Sequence, residues 1–133
     1  MILGMGTDLV EIERLAWAYA RHGERLLARI LSKAERTAAP AADSPRFAAW
    51  LAKRFAAKEA AVKALGTGFR DGITLHDIET IHTPLGAPVL RFSGEALHRF
   101  HTLGGQVAHL TVSDERLHAL AFVVIEGQLD ATV

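Results

Sequence analysis

The 133-residue chain contains no cysteine, which excludes disulfides and thiolate metal sites. Aromatic residues make up only 7% of it. With alanine abundant, this points to closely packed helices more than to clusters of large rings. No apolar run approaches the length of a membrane span. The apolar start Met1-Ile2-Leu3-Gly4-Met5 has no basic leader and meets Asp8 too early for a secretory signal. Net charge is also missing, with fifteen cations balanced by fifteen acids. These absences set the expectation of a soluble cytoplasmic protein that engages neither membrane nor long nucleic acid. Half of the residues are apolar, enough to form a core, and the length fits one domain over residues 1–133.

The zero net charge hides an asymmetry. Residues 46–70 carry Arg46, Lys53, Arg54, Lys58, Lys63 and Arg70 against Glu59 alone, a local net of +5. A basic segment within a neutral chain suits a compact anionic ligand better than a long polyanion. It also suits an ordinary solvated helix face.

Residues 2–10 read as a strand in which Gly4 and Gly6 either weaken pairing or allow close backbone approach. Ile12, Leu15, Tyr19, His22 and Leu26 recur at helical spacing, with Gly23 as a candidate interruption. Ser32-Lys33-Ala34-Glu35 fits a capping box that opens a short helix. Ser44-Pro45 marks the start of a long helix ending at Gly66. Phe47, Trp50, Leu51, Phe55 and Val62 are expected to form its buried stripe. Strands are expected over 78–82, 89–92, 107–113 and 119–125, with a helix over 94–103 and a frayed tail after Glu126. Both tryptophans, Trp17 and Trp50, are expected in or near the core. The order β-α-α-α-β-β-α-β-β implies an α+β fold, with a mainly antiparallel sheet packed on helices.

Two segments carry the chemistry. Gly6-Thr7-Asp8 sets a carboxylate near the end of the first strand. Arg54-Phe55-Ala56-Ala57-Lys58-Glu59-Ala60-Ala61-Val62-Lys63-Ala64-Leu65-Gly66-Thr67-Gly68 sets one carboxylate among three cations on a helix. Taken singly, Glu59 is explained by an i,i+4 pair with Lys63, and Asp8 by the positive end of the helix that follows it. Taken together, two carboxylates converging on a phosphate-rich ligand are what Mg²⁺ requires, and neighbouring cations suit phosphate oxygens. Arg54 and Lys58 share a helix face and suit either phosphate contact or packing of their stems over apolar surface. His98 and His101 lie three apart on a helix without a third ligand at metal-binding spacing.

The two segments together resemble the bacterial holo-(acyl-carrier-protein) synthases, the small 4′-phosphopantetheinyl transferases, and the resemblance extends from Ile2 to about Ile125. It implies transfer of 4′-phosphopantetheine from coenzyme A to a serine of an apo acyl carrier protein of fatty acid or polyketide synthesis, releasing 3′,5′-ADP. It implies Mg²⁺ held by Asp8 and Glu59, with Glu59 as candidate base and Lys63 neutralising the leaving phosphate. Arg54, Lys58, Lys63, Gly66 and Gly68 would contact coenzyme A. Arg14, Arg21 and Arg25, at offsets of seven and eleven on one helix face, would dock the acidic carrier. A homotrimer with sites between subunits is implied as well. Two positions depart from the family pattern. Ser113-Asp114 stands where many members have Ser-His, and Ala87 stands where a lysine is common between glycine and proline. A non-catalytic coenzyme A or carrier-binding module of the same fold is the alternative.

Overall fold

An antiparallel sheet packed against one alanine-rich helix forms the centre of the molecule. The computed structural model describes residues 1–129. The chain runs β1 (Ile2–Glu11), α1 (Ile12–His22), α2 (Glu24–Ile30), α3 (Lys33–Ala38), α4 (Phe47–Leu65), β2 (Ile78–His82), β3 (Pro88–Phe92), α5 (Gly94–Thr102), β4 (Gly105–Asp114) and β5 (His118–Gly127). A 3₁₀ turn, Leu75–Asp77, precedes β2. One sheet has the order β1-β5-β4, and β2 and β3 form a separate hairpin. All of these pairings are antiparallel. The fold class is the α+β architecture anticipated from the element order.

The central helix departs from the expected one-sided stripe. Leu51, Ala52, Ala56, Ala57, Ala60, Ala61, Val62, Ala64 and Leu65 are all buried, so α4 is enclosed on nearly every side. Alanine makes this possible because its short side chain lets neighbours approach from all directions. It also blurs the apolar periodicity from which a single face would be read. The helix starts at Phe47 rather than at Ser44-Pro45. Ser44 instead holds a turn before it: its Oγ accepts from the Arg46 N–H at 3.2 Å, and its carbonyl accepts from the Phe47 N–H at 3.1 Å.

Two glycines bring β1 down onto this helix. A Cβ at Gly4 would lie 2.0 Å from the Ala64 carbonyl oxygen, and one at Gly6 would lie 2.1 Å from that of Ala60. Only hydrogen fits at either position, so strand backbone and helix backbone pack directly. Of the two readings of these glycines, close approach is the one realised.

Ser32 and Glu35 form the anticipated capping box, with the Glu35 N–H donating to Ser32 Oγ at 3.3 Å and the Ser32 N–H donating to Glu35 Oε1 at 3.1 Å. Gly23 does interrupt the first helical stretch, separating α1 from α2. Trp50 stacks on Phe47 and lies 4.9 Å under the Arg54 guanidinium. Trp17 corrects the reading made for it: it projects from α1 and is 69% exposed. The tail is more ordered than expected as far as Gly127, whose N–H donates to the Met1 carbonyl at 3.0 Å. Residues 130–133 of the expected frayed segment lie outside the described residues.

Candidate active site

The seating of β1 on α4 determines which side chains meet. Asp8 follows Gly6 on the strand, and Glu59 and Lys63 are one turn apart on the helix beneath. The Lys63 ammonium donates to Asp8 Oδ1 at 3.1 Å and to the Thr7 carbonyl at 2.9 Å. Burial pushes the Glu59 carboxyl above its ordinary range, and the negative charge of Asp8 pushes it further; Lys63 and Arg14 pull it back. Residues 8, 14, 59 and 63 therefore form one electrostatic unit drawn from β1, α1 and α4. Glu59 also lines a cavity of about 650 Å³ whose walls include Leu26, Phe55, Phe69 and Ile73. An acidic pair with a lysine thus adjoins a largely apolar cleft.

This donor set fits Mg²⁺. The two carboxylates supply hard oxygen ligands, and their mutual repulsion is the kind that a divalent cation relieves. Among the described residues, no group of three or more His, Cys, Asp or Glu is arranged to hold a metal alone. A metal here would therefore take its remaining ligands from substrate phosphate and water, as Mg²⁺ commonly does.

Two expected phosphate ligands bond within the protein. Lys58 is fully buried. Its ammonium donates to Glu35 Oε1 at 2.6 Å, to the Leu75 carbonyl at 2.7 Å and to the Ile78 carbonyl. Burial holds its pKa below the usual lysine value, although Glu35 opposes the shift. Arg54 is also buried; it donates to Glu35 Oε2 at 3.4 Å and to the Thr80 carbonyl. Both cations face the interior because Glu35 supplies their counter-charge, and their donors are directed to groups inside the protein. The expectation of phosphate contact from Lys58 is corrected on this ground, whereas Arg54 also borders a small opening lined by Trp50, Lys53 and His82. Glu35 was read only as a cap, and the signal that it does more was available. Two cations one turn apart on a largely apolar helix need an acid, and the capping glutamate of a neighbouring helix was a candidate.

Gly66 stops α4 as expected, and the amides of Gly66 and Gly68 are both engaged within the chain. Gly66 takes a left-handed conformation, φ 80°, and its N–H donates to the Lys63 carbonyl at 3.0 Å. The Gly68 N–H donates to the Val62 carbonyl at 3.3 Å. Both amides thus close the C-terminus of α4 and are not turned toward a ligand. Arg14 and Arg21 are exposed on α1 as anticipated, but Arg25 lies on α2. The break at Gly23 ends the helical register that would have aligned all three. Asp114, at one of the two positions that depart from the family pattern, pairs with Lys53 at 3.2 Å.

The profile of the 4′-phosphopantetheinyl transferase superfamily matches residues 4–122. The holo-(acyl-carrier-protein) synthase of Alkalilimnicola ehrlichii is 52% identical over 127 residues, covering 96% of this chain and 98% of its own. The crystal structure of the Neisseria meningitidis holo-(acyl-carrier-protein) synthase superposes with a TM-score of 0.84 at 40% identity, over 95% of this chain and 99% of that one. The Bacillus anthracis synthase, solved in complex with coenzyme A (3′,5′-ADP), superposes with a TM-score of 0.79 at 34% identity, over 96% and 99%. With Asp8, Glu59 and Lys63 gathered where strand meets helix, and with likeness extending along nearly its whole length, the chain belongs to the 4′-phosphopantetheinyl transferase superfamily.

Proposed function

We infer that this protein is an enzyme that transfers 4′-phosphopantetheine from coenzyme A to a serine of an apo acyl carrier protein. The observation that carries the reading is the convergence of Asp8, Glu59 and Lys63 beside an apolar cleft in a chain about half identical to a holo-(acyl-carrier-protein) synthase. In the reaction the serine oxygen bonds to the β-phosphorus of coenzyme A. The bond from that phosphorus to the bridging oxygen breaks, and 3′,5′-ADP departs. Transfers of this type depend on positioning and charge neutralisation.

Asp8 and Glu59 would hold Mg²⁺, which supplies Lewis-acid neutralisation of the pyrophosphate when bound. Lys63, half exposed, is free to turn from Asp8 toward the leaving phosphate. Glu59, with its proton affinity raised by burial, is the candidate acceptor of the serine proton. The apolar cleft next to it suits the pantetheine arm. Arg14 and Arg21 supply basic charge for an acidic carrier, and such charges chiefly raise association rate and orient the partner.

A homotrimer is part of the same proposal. Met5, Leu9, Leu120 and Phe122 stand exposed on the β1–β5 face opposite α4, where Thr7 pairs with Phe122 and Leu9 with Leu120. A contiguous apolar sheet face of this kind is suited to subunit contact. Intact-mass analysis of an apo carrier after incubation with coenzyme A and Mg²⁺ tests the activity directly. The expected result is a gain of one phosphopantetheine, abolished by EDTA and by Glu59→Ala. No gain with any apo carrier, despite coenzyme A binding, would support the non-catalytic module instead.

A further inference from the structure

Three segments border the cleft beside Glu59. The short helix α2 contributes Leu26, Arg29 and Ile30, the stretch leading into β2 contributes Ile73, Leu75 and His76, and α4 contributes Glu59 itself. The last two are joined from within. The buried Lys58 ammonium, one residue before Glu59, donates to the carbonyls of Leu75 and Ile78 and so fixes the 3₁₀ turn to α4. Helix α2 is held differently. Its Leu27 carbonyl accepts from the Leu31 N–H at 2.8 Å. The Ser32 N–H would continue that ladder to Ala28, but it turns to Glu35 Oε1 at 3.1 Å to complete the capping box of α3. The Ala28 carbonyl is thereby left as one of the orphan acceptors of a helix end. His76 meets it, with Nε2 2.6 Å from that oxygen. A carbonyl can only accept, so the contact places the ring proton on Nε2.

Among the described residues, this is the side-chain hydrogen bond that joins the α2 side of the cleft to the 73–76 side. The ion pair of Glu24 with Arg36 ties α2 to α3, which does not border the cleft. Leu27 and Ile30 already seat α2 in the core, whereas His76 is exposed. The bond therefore lies at the rim and bears on the spacing of the two sides. We infer that His76 is a positioning residue for substrate binding: by clasping Ala28 it fixes the distance between α2 and the turn, and with it the fit of the cleft around the pantetheine arm of coenzyme A. This rests on the transferase reading and adds to it a determinant that touches neither phosphate nor metal. A cleft already set to width binds a flexible arm without first having to order its own walls. The bonds from Lys58 to the turn and from His76 to Ala28 refer α2 to the same stretch of α4 that carries Glu59.

The arm separates the two ligands that test this, since coenzyme A carries it and 3′,5′-ADP does not. Both are titrated calorimetrically, in buffer containing Mg²⁺, into wild-type enzyme, His76→Ala, His76→Gln and Arg36→Ala. Steady-state transfer to an apo acyl carrier protein is measured in parallel. His76→Ala is expected to bind coenzyme A about three- to tenfold more weakly, the worth of one hydrogen bond, with 3′,5′-ADP affinity unchanged. KM for coenzyme A should rise by the same factor while kcat stays within about twofold, as for a lost contact that serves ground state and transition state alike. His76→Gln, whose amide also donates, should restore most of the affinity. Arg36→Ala, which loosens α2 away from the cleft, should change neither ligand. Equal weakening of both ligands in His76→Ala, or the same loss in Arg36→Ala, would assign His76 to general stability and overturn the proposal. Unchanged coenzyme A affinity in His76→Ala, or a rise confined to KM for the carrier, overturns it too while an active wild type leaves the transferase reading standing. Wild-type enzyme that neither binds coenzyme A nor modifies a carrier overturns the transferase reading, and the clasp with it.

Discussion

At the scale of single residues, the ionisable groups divide into two sets that meet different neighbours. Glu59 and Lys63 look outward to Asp8 and Arg14, whereas the adjacent Lys58 looks inward to Glu35. The sequence shows all of them as one charged run, and it is the direction of each side chain around α4 that separates them. Removing only one member of the buried pair leaves a charge without its partner. Lys58→Met should therefore cost about 3–5 kcal/mol in urea unfolding, and much of that should return in Lys58→Met/Glu35→Leu. Lys63→Ala should leave the fold intact and lower kcat by about 10²–10³, the loss of one transition-state contact. Glu59 gives a pH test. Its folded pKa is raised above the ordinary 4.5 by burial and by Asp8, so the native state binds the proton more tightly than the unfolded chain does. The resulting stability is fully present below pH 4.5 and is lost as pH rises through the folded value. Glu59→Gln should flatten that slope in metal-free buffer and raise the urea midpoint at neutral pH. A variant with the same slope as wild type would remove burial as the cause.

At the scale of elements, the helices and strands were legible because turn chemistry marked their ends, with Gly23, Ser32, Gly66 and Asp114 all near boundaries. The face exposed by each element was harder to read. Trp17 was assigned to the interior from its residue type, yet α1 presents it to solvent. Arg25 was aligned with Arg14 on the assumption of a continuous helix that Gly23 breaks. The pairing of β1 with α4 was open in the sequence and is resolved by the room available at Gly6. Gly6→Ala should test this contact. A Cβ 2.1 Å from a backbone oxygen forces strand and helix apart, at a cost of about 1–3 kcal/mol. It should also reduce transfer, since Asp8 rides on the displaced strand. Full activity in this variant would mean that Asp8 does not depend on the seating of β1.

At the scale of the whole molecule, one exposed apolar sheet face remains among the described residues. Leu9 and Phe122 belong to it, and Leu9 adjoins Asp8 in the chain. Sedimentation should give three times the chain mass for the wild-type protein and a smaller particle for Phe122→Glu. If the sites lie between subunits, transfer falls with the change in mass. Retained transfer by a monomeric Phe122→Glu protein would show that one chain suffices.

The bond from Lys63 to Asp8 has a consequence of opposite signs. The lysine is a resident cation at the carboxylate that a divalent ion would claim, and ammonium and metal compete for Asp8. Lys63→Met removes the competitor together with the group that would meet the leaving phosphate. Calorimetry should find tighter Mg²⁺ binding in this slower enzyme, so that affinity for the ion and speed of transfer are set against each other by one side chain.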